Sequence, residues 1–337
     1  MSQPRREQFY DVIRGVAILL VVLGHGIQYG YTDFDNNIIF KVIYSFHMPL
    51  FMFVSGLVVP LGSEVDFPWL KKKFMQLVLP FGAWIILPFL FDKNREWRVF
   101  GERLVKIIQS PDQGGLWFLW VLFLNCCALY TGIWLCRKLG VKKEWSILAV
   151  IWATVFVLGR IVIKRLGFGS SGYYVVYYFA GYLIGKYKGS IKIEKKLKLM
   201  MYLLGGVGYL VLLPMWHRTQ MPLFLMNLES KVPQPLLEIV NLGYKYLTAF
   251  CGISVVWFLF RYVLKKGASF WAKLGTYTLE VYALHYYFIT LFPFKNSMVG
   301  AIVNATVSLL LAVGFARIVE NGKISQVLFG KKSRRNA

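Results

Sequence analysis

Charged residues are scarce in this sequence, and acidic ones are scarcest. Asp and Glu number 16 among 337 residues, and all charged residues together make up only 16% of the chain. A soluble domain needs roughly a quarter of its residues charged to cover its surface. Hydrophobic residues instead reach 57%, with a mean hydropathy of +0.53. This composition excludes an ordinary soluble enzyme and indicates a chain whose solvent is the lipid bilayer.

Cysteine is also rare, and the usual motifs of soluble enzymes are missing. The four cysteines lie in or beside apolar segments without metal-ligand spacing, so we interpret them as small buried hydrophobic residues. The sequence has no P-loop, no G-x-S-x-G, no H-E-x-x-H and no G-x-G-x-x-G after a strand. We therefore expect no metal site and no permanently bound cofactor.

The apolar residues occur in long runs, which predict membrane-spanning helices. A membrane β-barrel would show alternating segments of about ten residues, a pattern that this sequence lacks. We predict an all-α integral membrane protein, a single polytopic bundle of about ten transmembrane helices. Residues 1–337 would form one membrane-embedded domain with no fused soluble domain. The predicted spans are residues 9–29, 38–59, 74–91, 116–136, 145–163, 172–185, 200–215, 236–262, 270–292 and 298–319.

The formal net charge of +23 is distributed in a way that indicates orientation rather than nucleic-acid binding. Lys and Arg are concentrated in every second loop, including residues 71–73, 137–143 and 186–198. The turn that carries Asp33 and Asp35 has no cation. Cytoplasmic loops of membrane proteins are enriched in Lys and Arg, so both termini are predicted to be cytoplasmic. Residues 92–113 are polar and amphipathic, and we expect them to lie at the membrane interface.

The first predicted span contains three ionisable residues, Asp11, Arg14 and His25. Charge at bilayer depth is costly, so each such residue is a candidate for function. At 100° per residue, Arg14 and His25 differ by about 20° around the helix and by roughly 16 Å along its axis. Asp11 lies one turn before Arg14 and can hold its guanidinium. The alternative is a snorkelling ion pair at the membrane surface and a histidine that only links helices.

Five residues of later segments are candidates for lining a substrate cavity, namely His47, His285, Tyr282, Trp117 and Glu280. His47 precedes Pro49 in the second span, and His285 lies one turn after Tyr282 in the ninth, where Glu280 also needs a partner. A single membrane histidine more often links helices than catalyses a reaction, so each is weighed against that structural role. Trp117 is expected to be an interfacial aromatic residue or part of a cavity lining. A neutral imidazole could take a proton from a hydroxyl that attacks a thioester, while a cation near the membrane surface binds donor phosphates.

Several segments resemble the membrane-bound acyltransferase-3 family. The residues concerned are DVIRGVAILLVVLGH at 11–25, FHMPLFMFVSG at 46–56, LWFL at 116–119, YFAGYLIG at 178–185 and GTYTLEVYALH at 275–285. The match follows the order of nearly the whole chain, and its first two segments are the most specific. Within the family, the chain is most similar to the fucose 4-O-acetylase-like branch that acts on capsules or exopolysaccharides.

The resemblance implies a bacterial inner-membrane O-acetyltransferase. Acyl-coenzyme A, usually acetyl-coenzyme A, would be the cytoplasmic co-substrate, and a glycan or lipid-linked oligosaccharide would supply the accepting hydroxyl. By position, Arg14 and His25 match the family's essential pair with Asp11 beside them, whereas His47 and His285 match less strictly. The resemblance therefore implies that His25 and Asp11 are catalytic and that Arg14 binds the donor. Two other hypotheses remain open at this point. One is a transporter or channel that uses Asp11, Arg14 and the histidines, and the other is a non-catalytic subunit of a polysaccharide assembly complex.

Overall fold

The chain is helical, and a computed structural model describes residues 8–61, 64–91, 96–111, 115–159, 163, 165–190, 193–264, 266–320 and 323–331. No strand occurs within these ranges. The helices are α1 Gln8–Gly30, α2 Ile38–Leu57, α3 Phe67–Phe91, α4 Trp97–Gln109, α5 Trp117–Leu139, α6 Glu144–Val157, α7 Phe168–Tyr187, α8 Lys195–Leu212, α9 Leu223–Met226, α10 Gln234–Phe258, α11 Ala268–Gly275, α12 Thr278–Phe288, α13 Met298–Val319 and α14 Lys323–Phe329.

Seven helices of the described chain are long and apolar enough to cross a membrane. They are α1, α2, α3, α5, α8, α10 and α13, of which α8 and α10 are extended by short helical turns to Met215 and Val263. The prediction of an all-α membrane protein is therefore confirmed. The count of about ten spans is not confirmed, because three predicted spans have a different form in the structure.

Those three spans are the fifth, sixth and ninth. The fifth corresponds to the 14-residue helix α6, which is apolar but short. The sixth becomes α7, which is 20 residues long and is rich in tyrosine and glycine. The ninth was predicted as one helix over residues 270–292, and the structure divides it into α11 and α12.

The break between α11 and α12 has a local cause in two threonines. Thr276 Oγ1 donates a hydrogen bond to Lys273 O at 2.7 Å, and Thr278 Oγ1 donates to Gly275 O at 2.6 Å. Side-chain hydroxyl groups of this kind compete with the backbone ladder of a helix. The backbone of Thr276 and Tyr277 forms turns, and a new helix begins at Thr278. The interruption separates α12, which carries His285, from α11.

The described chain separates into two compact units. Unit 2 comprises residues 52–188 and 314–337. Within it, α5 ends at a left-handed Gly140 with φ of 64°, a conformation that closes many helices. Trp84 Nε1 donates to Leu328 O at 2.9 Å and joins α3 to α14. Lys186 and Glu144 form an ion pair of 2.6 Å between α7 and α6.

Helix α4, also in unit 2, has the amphipathic pattern that its sequence predicts. Phe100, Leu104 and Ile107 are partly buried along one side, and Phe100 stacks on Phe89 with a ring-centroid distance of 4.2 Å. Arg98 on the polar side is paired with Glu102 at 3.1 Å and is well exposed. The predicted location of this helix at the membrane interface remains a prediction.

Unit 1 comprises residues 1–51 and 189–313, and α1 is its most buried long helix. Gly15 lies so close to α11 that an added Cβ would collide with Trp271 O, and Gly275 lies equally close to Asp11 O. Near the other end of α1, a Cβ on Gly26 would lie 2.7 Å from Ala301 O of α13. The backbone of α1 thus contacts a neighbouring helix beside Arg14 and again beside His25.

Candidate active site

Arg14 and Asp11, near the start of α1, form the predicted ion pair. Arg14 Nη1 lies 3.5 Å from Asp11 Oδ1, and Asp11 is only 8% exposed. Burial of a carboxylate is tolerated when a cation and hydrogen bonds compensate it. The ion pair that the three-residue spacing predicts is therefore present in the structure.

His25, eleven residues further along α1, is bonded through both ring nitrogens. His25 Nδ1 lies 2.9 Å from His285 Nε2, and His25 Nε2 lies 2.7 Å from the Tyr286 hydroxyl. The His25 and His285 rings are stacked at 25° with centroids 5.0 Å apart. Two histidines that are separated by 260 residues in the chain thus form one continuous hydrogen-bonded group with a tyrosine.

His285 is held on α12 by its own backbone contacts. Its Nδ1 lies 2.9 Å from Val281 O, one helical turn earlier, and its side chain is fully buried. Ser308 of α13 donates a hydrogen bond of 2.8 Å to His285 O. Asn304, one turn before Ser308, bonds both the N–H and the C=O of Phe292. Polar side chains of α13 thus fix α12 and the segment that follows it.

Tyr44 of α2 lies between His25 and His47. Its ring centroid is 6.3 Å from that of His25 and 4.7 Å from that of His47. The Tyr44 hydroxyl donates to Gln28 Oε1 at 2.7 Å, which joins α2 to α1. His47 is buried, and its Nδ1 lies 2.8 Å from Ile43 O. Tyr44 therefore lies between His47 and the His25 group and contacts both.

The remaining predicted residues divide between the two units. Tyr282 is buried beside His285, with ring centroids 6.1 Å apart. Glu280 is buried in the first turn of α12. Trp117 belongs to unit 2, where it begins α5 and its ring lies 5.3 Å from that of Tyr174. The structure thus brings His285 and Tyr282 to the His25 side of the site, whereas Trp117 belongs to a separate group.

Sequence reasoning missed Tyr286 and Tyr44 as members of the site. Tyr286 follows His285 directly, and neighbouring helical positions are normally assigned to different faces because they differ by 100°. Here the side chains of His285 and Tyr286 bond the two ring nitrogens of His25. The run His285-Tyr286-Tyr287 in an apolar segment was the available signal.

An ion pair outside the apolar segments connects two loops of unit 1. Arg218 donates to both Asp35 oxygens, from Nε at 2.9 Å and from Nη2 at 3.1 Å, and its guanidinium lies over the Phe34 ring. The hydrogen bond from Arg218 holds the pKa of Asp35 below its ordinary value. Lys245 donates to Arg218 O at 3.2 Å. This contact restrains the turn between α1 and α2.

The arrangement around His25 can support proton transfer to or from a hydroxyl group. An imidazole nitrogen within 2.6–3.2 Å of a hydroxyl oxygen has the geometry of general acid–base catalysis. The Tyr286 oxygen occupies such a position at 2.7 Å. A cation on the same helix, Arg14, lies roughly 16 Å away along the helix axis.

Comparisons with known proteins bear on the chemistry of this site. The acyltransferase-3 family model, described as an acyltransferase domain, matches residues 7–319. The chain is 32% identical over 133 residues to nodulation protein NolL of Mesorhizobium japonicum, covering 36% of this chain and 34% of that protein. It is 37% identical over 128 residues to nodulation protein NolL of Sinorhizobium fredii, covering 36% and 35%. The alignment thus spans about a third of each relative. No solved structure matches the chain.

Proposed function

Because this chain belongs to the acyltransferase-3 family, we propose that it transfers an acetyl group from cytoplasmic acetyl-coenzyme A to a hydroxyl of a cell-surface polysaccharide or its lipid-linked precursor. Its family and its membrane helices make it a multi-pass membrane acyltransferase. The donor, the acceptor, the inner-membrane location and the cytoplasmic termini belong to the proposal.

One observation carries the proposed chemistry, the 2.7 Å contact between His25 Nε2 and a hydroxyl oxygen. In the reaction, the hydroxyl of the accepting sugar would take up the position of the Tyr286 oxygen. His25 Nε2 would accept the hydroxyl proton as the oxygen attacks the thioester carbonyl carbon. The C–S bond then breaks, and the proton passes from His25 to the sulfur of coenzyme A. An ester and a free thiol result, and His25 returns to its neutral form.

Arg14 is proposed to bind the donor. Coenzyme A carries its phosphates at one end and its thioester at the end of a long flexible arm. A guanidinium forms charge-assisted hydrogen bonds with phosphate, and Asp11 orients the Arg14 side chain for this purpose. The phosphates would bind at the Arg14 end of α1, and the thioester would reach His25.

The accepting sugar is proposed to bind beside the His25 group. His47 and Tyr282 border the His25 group and are proposed to contact the acceptor. The names of the two rhizobial relatives refer to nodulation and specify no acceptor.

The proposal is tested by acetyl transfer from labelled acetyl-coenzyme A with purified protein, alongside equilibrium binding of coenzyme A. His25→Ala is expected to lower kcat by about 10²- to 10⁴-fold and to keep donor binding, because it removes the proton acceptor. Arg14→Ala is expected to raise the donor KM by about 10- to 100-fold with a smaller effect on kcat, because phosphate binding is the same in ground and transition states. Arg14→Lys should restore only part of the affinity.

Arg98→Ala provides the matched control, because Arg98 is an exposed arginine in unit 2 paired only with Glu102 in the contacts described. It should leave kcat and the donor KM unchanged. Loss of donor binding in His25→Ala together with normal binding in Arg14→Ala would reverse the proposed direction of the donor. Wild-type protein that neither hydrolyses nor transfers the acetyl group would refute the function itself.

A further inference from the structure

The contacts of His285 determine which of its nitrogens carries a proton. Nδ1 lies 2.9 Å from Val281 O, and a carbonyl oxygen can only accept a hydrogen bond. Nδ1 must therefore be the N–H donor. In the neutral ring, Nε2 then has a free electron pair and can only accept. The backbone of α12 thus sets the tautomer of His285.

The same reasoning continues into His25. His285 Nε2 accepts, so His25 Nδ1, at 2.9 Å, must be the donor. The neutral His25 ring then has its free electron pair on Nε2, which accepts the hydrogen bond from the Tyr286 hydroxyl at 2.7 Å. With both rings neutral, a single order of protons satisfies every contact, from Tyr286 through His25 and His285 to Val281 O.

We propose that His285 is the positioning residue of the His25 base, which it holds in the Nδ1–H tautomer with Nε2 directed at the reacting hydroxyl. This inference rests on the proposed function, in which His25 accepts the proton. His285 does not touch the reacting atoms and acts through His25. It therefore changes from the cavity residue that the sequence predicts to a partner of the base.

A purely structural link between α1 and α12 would be satisfied by any pair of polar side chains. The observed pair does more, because the strength of its hydrogen bond changes during the reaction. When His25 Nε2 receives a proton, the ring becomes positively charged, and its Nδ1–H bond to His285 becomes charge-assisted and stronger. The interaction therefore stabilises the transition state more than the ground state, which affects kcat rather than KM.

The surroundings of His285 keep it in place for this role. Its side chain is fully buried, and Ser308 holds its carbonyl oxygen at 2.8 Å. The buried carboxylate of serine proteases likewise fixes the tautomer of a catalytic histidine. Here the partner is a neutral ring, and its own orientation comes from Val281 O.

Nitrogen-15 NMR of protein labelled at histidine tests the proposal directly. The chain has only four histidines, so each ring can be assigned with single variants. In the wild type, His25 is expected to carry its proton on Nδ1. His285→Leu should release His25 to protonate Nε2 and should lower kcat by about 10- to 100-fold at unchanged donor KM, a loss typical of partners that orient a functional group.

Two further variants separate positioning from packing. His285→Gln keeps an acceptor oxygen near the former Nε2 and should retain the Nδ1–H form of His25 with a smaller loss of kcat. Tyr287→Phe changes the next, exposed ring on the same helix and should leave both the tautomer and kcat unchanged. Should His285→Leu fail to fold, the wild-type tautomer and the Gln variant decide the question.

The proposal is wrong if wild-type His25 carries its proton on Nε2. It is also wrong if His285→Leu keeps full turnover, or if the Gln variant loses as much turnover as the Leu variant. The NMR result does not depend on activity, so it remains informative even if the protein proves not to be an acyltransferase of the proposed kind. Normal turnover of His285→Leu alongside an inactive His25→Ala would overturn only the role of His285.

Discussion

At the residue scale, the Asp35–Arg218 ion pair links the stability of the protein to pH, because Asp35 can be protonated. Two hydrogen bonds of 2.9 and 3.1 Å join the side chains, and they lower the pKa of Asp35. A carboxyl with a lowered folded-state pKa contributes stability above its unfolded pKa of about 4. That contribution is lost as the pH falls through the lower folded-state value.

The thermal midpoint of wild type and Arg218→Gln, measured in detergent by tryptophan fluorescence, tests this dependence. The variant should melt roughly 1–3 °C lower at pH 7 and at pH 5, because a partly exposed ion pair contributes modestly. The difference should shrink when the pH is taken well below 4, where Asp35 becomes protonated in the wild type too. Arg98→Gln, which breaks an exposed helical pair, should show little difference at any pH. A constant difference down to the lowest pH would contradict the assignment to Asp35.

The histidines show how far single residues can be interpreted from sequence. His47 and His285 both lie in apolar segments, and both bond the carbonyl four residues earlier. Their local sequence context therefore could not distinguish them. What distinguishes them is which residue of α1 lies opposite, and this depends on the packing of α12 against α1. The Arg14–Asp11 contact was predictable, because both residues lie on one helix with known periodicity.

At the element scale, α1 is held by close backbone contacts beside Arg14 and beside His25. Gly15 adjoins Arg14 and packs on the Trp271 carbonyl of α11, while Gly26 adjoins His25 and packs on the Ala301 carbonyl of α13. A side chain at either glycine would meet backbone, which cannot move aside as a flexible side chain can. The packing of α1 against α11 and α13 therefore positions Arg14 and His25.

Gly15→Ala is expected to destabilise the protein by about 1–3 kcal/mol, because the added methyl group forces α1 away from α11. Gly82→Ala is the matched control, since Gly82 lies within α3 and a Cβ there would meet nothing within 4 Å. That variant should be neutral or stabilised by up to about 1 kcal/mol through helix propensity. Unfolding in denaturant measures the free energy of unfolding of both variants. Equal stability of the two variants would contradict the close contact at Gly15.

The helices themselves were predictable to different degrees. Residues 9–29 were predicted as the first span and form α1, because a long apolar run has few alternatives in a membrane. The ninth span was wrong as a continuous helix. Residues 270–292 are mostly apolar and carry two charged side chains, Lys273 and Glu280. The break at Thr276 and Tyr277 depends instead on local hydroxyl bonds and on the contact of Gly275 with Asp11 O. Hydropathy depends neither on these hydrogen bonds nor on this backbone contact, so it could not predict the break.

At the scale of the whole molecule, the distribution of Lys and Arg predicts the orientation of the chain. Reporter proteins fused after Lys188 and after Ala337 should both report the cytoplasm, and a fusion in the turn at Asp35 should report the outside. The first site lies within the basic segment of residues 186–198, the second follows a basic segment, and the third lies in a turn without cations. Opposite readings at Lys188 and Asp35 would reverse the orientation and, under the proposed function, the side from which the donor enters.

Under the proposed function, the two backbone contacts of α1 also make the protein sensitive to the length of its donor. With the helix fixed beside Arg14 and beside His25, the span of roughly 16 Å between them cannot stretch or shorten. Under the proposed function, a thioester on a short carrier reaches His25 only by giving up its anchor at Arg14. The carrier arm, more than the size of the acyl group, would then decide which thioesters this protein can use.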